Sequence, residues 1–407
     1  MAYDVSRIRS HFPALEGPDA LAHFDGPGGS QVPDVVARAV ADTLTSAISN
    51  RGTVTASERR AADVVLACRS ALADLLGADP AGIVFGRSAT ALTYDVGRAL
   101  ARTWGPGDEV VVTRLDHDAN VRPWVQHAEA AGATLRWVDF DPATGELDLA
   151  HVEAVLSDRT RLVATTAASN LIGTRPPTRQ ISEAVHAVGA LHWVDGVHAT
   201  PHASVDVAEL GADVWVCSPY KFLGPHCGVL AAAPGLLETL HPDKLQPSSD
   251  AVPERFEAGT LPYELMAGTT AAVDFLARLD DLDREVTPEH RRARLLTSMD
   301  ALEQHEKGLM DRLEPALRAL PGVTVHSNAE HRTPTLLFTV DGVEGADVYR
   351  GLAERGVNAP ASSFYAVECS RHLGLGDTGG VRVGLAPYTD DGDVDRLLDG
   401  LTALLAG

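Results

Sequence analysis

A chain of 407 residues with 45% hydrophobic content can bury a large core and is long enough for one large domain plus a smaller one. Its 34 Lys+Arg against 56 Asp+Glu give a formal charge of −22, a field that repels nucleic acid and anionic membranes and excludes both as expected partners. The N-terminus has no apolar core of signal-peptide length and no run of roughly 20 apolar residues occurs, so the expected location is the cytoplasm. Cys68, Cys217, Cys227 and Cys369 form no C-x-x-C pair and no zinc-type Cys/His spacing, and read as reduced thiols.

Residues 1–33 read as an N-terminal arm. It has a short amphipathic start and then FDGPGGSQVP, Phe24–Pro33, which is turn-rich enough to be a linker or a loop offering close backbone approach to a ligand. The linker is slightly favoured. Helical periodicity follows in Asp34–Ser46 and Ser57–Leu76, the latter stopped by Gly77 and Pro80. From Gly82 the pattern alternates. Strands are expected at Ile83–Phe85, Glu109–Thr113, Leu135–Asp139, Leu162–Ala167, Leu191–Val194, Asp213–Cys217 and Gly228–Ala233. Helices are expected at Thr90–Thr103, Val121–Ala131, Ala150–Ser157, Thr178–Val188 and Val207–Leu210. Strands spaced by helices predict an α/β fold: a mainly parallel sheet covered on both faces, with ligands at the carboxyl ends of its strands. After Thr269 the texture changes. Helices Thr269–Leu282, Glu289–Leu320 (with Pro288 at its first position), Gly345–Glu354 and Asp393–Leu405 mix with strands Val323–His326, Thr335–Val340 and Gly380–Gly384. The expected division is a large domain over 34–280 and a small C-terminal α+β domain over 281–407.

Five clusters with chemical potential fall at strand ends. Gly86-Arg87-Ser88-Ala89-Thr90 lies between a strand and a helix, where free N–H groups and the dipole suit a phosphate; taken alone, an ordinary N-cap by Ser88 is the commoner explanation. His117, between Asp116 and Asp118, could stack on an aromatic ligand or move protons, or belong to a surface charge cluster. Asn170 commonly means only a turn. Asp195, followed by His198, is a strand-end carboxylate in need of a cationic or hydrogen-bonding partner. Lys221, in Ser218-Pro219-Tyr220-Lys221 between two apolar strands, is poorly placed as a solvated charge, and burial would free its amine for Schiff-base chemistry. A phosphate cradle, a ring-stacking imidazole, a carboxylate for a ring nitrogen and a Schiff-base lysine together are what pyridoxal 5′-phosphate requires.

The ordered series HFDGPGGSQVP, SNRGTVTAS, FGRSATAL, TRLDHDANVRPW, ASNLIGT, VDGVHATPH, SPYKFLGP, RFEAGT and VRVGLAPY resembles fold-type I pyridoxal-phosphate enzymes of aminotransferase class V almost end to end. The branch it is most similar to is the cysteine desulfurase-like and selenocysteine lyase-like one. That resemblance implies the cofactor pyridoxal 5′-phosphate on Lys221, with Asp195 paired to the pyridinium nitrogen and His117 on the ring face. It places Asn170 near the ring's 3-hydroxyl, and His198 where desulfurases carry a glutamine. Ala89, Thr90, Ser218 and Tyr220 would take the phosphate. Thr260 would reach the neighbouring subunit's phosphate in a homodimer, and Arg382 would clamp the α-carboxylate of a small amino-acid substrate.

One departure bears on the reaction. The desulfurase loop cysteine falls, in register with Val357–Tyr365, on Tyr365; Cys369 comes four residues later and is expected to pack on a helix, and a second loop arginine is replaced near Pro360. The implied function is therefore a lyase that takes the Cα proton and eliminates a β-substituent, a sulfur-linked one, without a persulfide cysteine. The alternatives are epimerisation, retro-aldol cleavage or another Cα reaction on a specialised-metabolite amino acid, with Tyr365 or His198 as a second acid/base, and a pyridoxal-phosphate-fold protein without catalysis. The substrate's own contacts would come from FDGPGGSQVP, Asn50-Arg51-Gly52 and the Ala361–Tyr365 loop.

Overall fold

The structure is a computed structural model that describes residues 3–17 and 20–406. Residues 1, 2, 18 and 19 of the expected arm, and 407 at the end of the expected small domain, lie outside the described residues. The chain opens on helix Val5–Arg9 and strand β1 (Ala22–His23), then helices Asp34–Thr45 and Ala56–Leu76. The last begins with a reciprocal cap, Thr55 accepting from the Glu58 amide while Glu58 accepts from the Thr55 amide, and ends at Gly77 in the left-handed conformation.

The large sheet has seven strands: β2 (Ile83–Gly86), β3 (Glu109–Thr113), β4 (Thr134–Val138), β5 (Thr160–Thr166), β6 (Leu191–Asp195), β7 (Val214–Cys217) and β8 (Gly228–Ala232), in the order β2-β8-β7-β6-β5-β3-β4. Pairs from β7 to β4 are parallel, whereas β8 runs antiparallel to both its neighbours. The reason is local. No crossover helix separates β7 from β8, and a short connection returns the chain antiparallel. Lys221 lies in that connection.

Side chains alternate between two cores. Ile83, Phe85, Trp215, Cys217, Val229 and Ala231 pack with Val65, Leu72 and Leu76 on one face. Val84, Val214, Val216, Leu230 and Ala232 pack with Leu92, Val96 and Trp124 on the other. Burial on both faces explains why these strands read as continuous apolar runs.

The second sheet comprises β9 (Val323–Val325), β10 (Thr335–Val340), and, after a two-residue strand β11 (Val357–Asn358), β12 (Ala361–Ser362) and β13 (Gly380–Gly384), in antiparallel order β12-β13-β10-β9. Helices Arg291–Ala319, Gly345–Ala353 and Asp391–Leu405 supply apolar residues to its core. The N-terminal segment joins this end of the molecule: β1 pairs in parallel with β11, and Asp25 bridges Gly384.

Several expectations need correction. Helix Ala150–Ser157 is Leu149–Glu153, and helix Asp393–Leu405 begins at Asp391. Helix Thr269–Leu282 is Tyr263–Leu276, begun directly after Pro262. Helix Glu289–Leu320 is Arg291–Ala319: Thr287–His290 close a turn, and the buried Arg291 is drawn to Asp74 and Asp274 at 2.9 and 2.7 Å. FDGPGGSQVP is an ordered loop, not a linker. The Gly28 and Gly29 amides donate to the Asp25 carbonyl, the Ser30 amide to the Tyr220 carbonyl, and a side chain on Gly26 would meet the Leu385 carbonyl oxygen at 2.4 Å.

Candidate active site

The carboxyl ends of β2, β3, β5, β6 and β7 lie along one edge of the large sheet, and each hands its next residues to one cleft. The inner part, ≈ 70 Å³, is lined by Ala89, Thr90, His117, Asn170, Asp195, His198, Ser218, Tyr220 and Lys221 among others. The outer part, ≈ 610 Å³ and open to solvent, shares Thr90, His117, Asn170, Tyr220 and Lys221 and adds Asp25, Tyr94, Arg122, Tyr365 and Arg382. Of the residues singled out in sequence, two groups stand apart: Thr260 is exposed and lines neither part, and Asn50-Arg51-Gly52 lie outside both, Arg51 pairing with Glu254 at 3.2 Å.

Lys221 sits in the turn Pro219–Lys221 after β7. Burial, reinforced by the Arg382 charge, lowers its amine to about 7, against the pull of Asp25 and Asp195 in the other direction. Its Nζ donates to the Pro27 carbonyl. Asp195 ends β6, accepts from the Val197 amide at 2.9 Å, and is raised by burial to about 6, the amide bond and the Lys221 charge working against that rise. His117 accepts from the Ala119 amide through Nδ1 at 3.0 Å, and burial, with the Lys221 and Arg382 charges, holds it down at about 4. Its ring is therefore neutral at pH 7 with the proton on Nε2.

Two residues that line this space each carry a buried polar atom without a partner: Asn170 Oδ1 and His198 Nδ1. Their other ends are fixed. Asn170 Nδ2 donates to the Phe364 carbonyl at 2.9 Å, and His198 Nε2 lies 2.9 and 3.0 Å from the Thr333 and Thr335 hydroxyls. Such atoms are costly unless a ligand answers them, and a ring oxygen would. At the opposite wall, Ser88 caps helix Ala89–Ala101 through the Ala91 amide, leaving the Ala89 and Thr90 amides without helical acceptors. Strand β8 approaches so closely that a side chain on Gly228 would lie 2.2 Å from the Ser88 carbonyl carbon. The residues present thus fit pyridoxal phosphate, with a cradle for an anion at one end and unsatisfied groups for a heteroaromatic ring at the other.

Arg382 is buried on β13; its Nη1 donates to the Asn170 carbonyl at 3.0 Å, its Nη2 to Asp25 at 2.6 Å, and the Phe364 ring lies 3.7 Å from the guanidinium carbon. Tyr365 is 74% exposed, stacks 5.5 Å from His117, and like Phe364 has positive φ. Tyr220 stacks on His226 at 4.7 Å.

Sequence reasoning missed several groups. Asp25 had only its place in a Gly/Pro loop to mark it. Thr333 and Thr335 lie more than 130 residues from His198 and gave no signal. Asp116, read as one end of a charge cluster, is buried beneath the His117 turn, bonded by Asn120 at 2.6 Å and by Thr113, and burial raises it to about 8.

Residues 22–397 match the model of the family described as aminotransferase class-V. An uncharacterised protein of Mycobacterium tuberculosis is 36% identical over 410 residues, covering 99% of this chain and 100% of that protein. A cysteine desulfurase of Dickeya dadantii is 31% identical, covering 98% and 96%. Among solved structures, the cysteine desulfurase CsdA from Escherichia coli superposes with a TM-score of 0.86 at 27% identity, covering 100% of this chain and 99% of that one.

Proposed function

The chain belongs to the aminotransferase class V family, whose members use pyridoxal 5′-phosphate, and from that premise we propose that this cysteine desulfurase-like enzyme is a β-eliminating amino-acid lyase. It breaks a carbon–sulfur bond without storing the sulfur on one of its own cysteines. The observation that carries this reading is where the thiols lie. All four cysteines are buried, and burial pushes the Cys369 thiol far above its ordinary value. The attacking form of a cysteine is the thiolate, and Cys369 is neither ionised nor exposed, while Tyr365 occupies the rim.

Pyridoxal phosphate, when bound, supplies an aldehyde that takes up an amine and a ring that accepts the electron pair left when the Cα proton departs. Lys221 provides the amine that holds it, available unprotonated at neutral pH, and later the base for the Cα proton. Asp195 would answer the charge on the ring nitrogen, and the neutral His117 would lie against the ring. Asn170 and His198 would serve the ring oxygen. Ala89, Thr90, Ser218 and Tyr220 would hold the phosphate, and Arg382 would fix the substrate carboxylate. Loss of the Cα proton and of the sulfur substituent from Cβ, which takes up a proton and leaves as a thiol, followed by addition of water, would convert a cysteine derivative to pyruvate, ammonium and the free thiol. The breadth of the outer cleft leaves room for a sulfur substituent larger than a hydrogen. In this reading the enzyme is a homodimer, the exposed Thr260 reaching the partner's phosphate.

Incubation of the holoenzyme with cysteine and a panel of S-alkyl and S-aryl cysteines should release pyruvate and ammonium from at least one of them. Silence across the panel contradicts the proposal. A second reading, a Cα reaction without elimination, draws on the phenol of Tyr365 beside His117; solvent deuterium entering Cα without pyruvate would select it.

A further inference from the structure

The loop that follows β1 touches both groups an amino-acid substrate needs. Pro27 offers its carbonyl to the Lys221 amine, and Asp25, two residues earlier, holds Arg382 at 2.6 Å. We infer that Asp25 is an internal competitor for the substrate's α-carboxylate: it occupies the guanidinium until a carboxylate of sufficient affinity displaces it, and so sets which α-amino acids the site retains.

The pairing is built into the loop. The Gly28 and Gly29 amides bond the Asp25 carbonyl at 2.9 and 3.0 Å, fixing the turn, and Asp25 bridges Gly384 two residues beyond Arg382. Gly28 is a glycine for reasons of space: a Cβ there would lie 2.2 Å from an Asp25 carboxylate oxygen. Arg382 is 1% exposed, so its charge is not answered by water. Its donors are already allotted, Nη1 to Asn170 and Nη2 to Asp25, while Nε is buried without a partner. A carboxylate that enters must share Nη2 with a like charge or move it, and parting the pair is costly on the side of the arginine, which is buried while the Asp25 side chain is 31% exposed.

The inference rests on the proposed function only in requiring an α-amino acid as ligand; elimination is not needed. The probes are therefore L-alanine, which has no leaving group at Cβ, and methylamine, which has no carboxylate, each titrated against the visible absorbance of the holoenzyme. In Asp25→Asn, which keeps the shape and removes the charge, the preference for alanine over methylamine should rise about tenfold. Retention of the visible band shows that the variant is folded, and Asp25→Ser gives a second neutral side chain should the amide disturb the turn. An unchanged or lowered preference in both variants, with a normal wild-type response to alanine, overturns the inference and leaves the lyase reading standing. No response to alanine in wild type or variants also overturns the inference, and the lyase reading is then decided by the cysteine panel alone.

Discussion

Lys221 titrates near 7 because its ammonium loses water on burial, and Arg382 adds to that shift. The neutral amine is the attacking form, and a lowered pKa brings it into the physiological range. Capture of pyridoxal phosphate by the apoprotein should therefore speed up with rising pH through a midpoint near 7 and level off above it, as followed by stopped-flow absorbance. A midpoint near 10, that of an ordinary lysine, would show that the pocket does not tune the amine. At this scale much of the site was legible in sequence. Lys221, Asp195, His117 and Asn170 are reactive or polar types at the ends of apolar runs, a combination that burial alone makes expensive. Asp25 was not legible, because its importance comes from Arg382, 357 residues away, and a carboxylate in a glycine-rich turn has ordinary explanations.

Strand β8 shows how an element, rather than a residue, shapes the cradle. It lies between β2 and β7, and its first residue, Gly228, abuts the backbone at Ser88 and Ala89, at 2.2 Å and 2.5 Å from an added Cβ. Backbone cannot rotate away as a side chain can, so Gly228→Ala should push the first turn of helix Ala89–Ala101 out of place. The expected result is a cofactor dissociation constant raised by about tenfold or more, measured by equilibrium dialysis; an unchanged constant would mean that this turn does not hold the phosphate. The long buried strands and capped helices could be read from sequence because their periods and stop signals are local. The two-residue strands β1, β11 and β12 have too few residues to carry a period, and their existence depends on partners far along the chain.

Across the whole molecule, the segment from Ala22 to Gly29 ties the start of the chain to β11 and β13 and lays its loop over the cleft. Its Gly/Pro content pointed to a turn but not to the surface the turn packs on, which is why a linker and an ordered loop could not be told apart in sequence. Exposed Thr260 belongs to the same scale: if its role is on the partner subunit, the holoenzyme should sediment as a dimer, and a monomer with cofactor fully bound would refute that assignment. The proposal as a whole turns on the fate of the sulfur. The most direct measurement follows a cysteine S-conjugate that the enzyme turns over, identifying the carbon product while the intact mass of the protein is recorded during turnover. The account predicts pyruvate with the thiol set free and no added sulfur on the protein. Alanine as product, with the conjugate's sulfur and its substituent held in a disulfide on one of its cysteines, would contradict it.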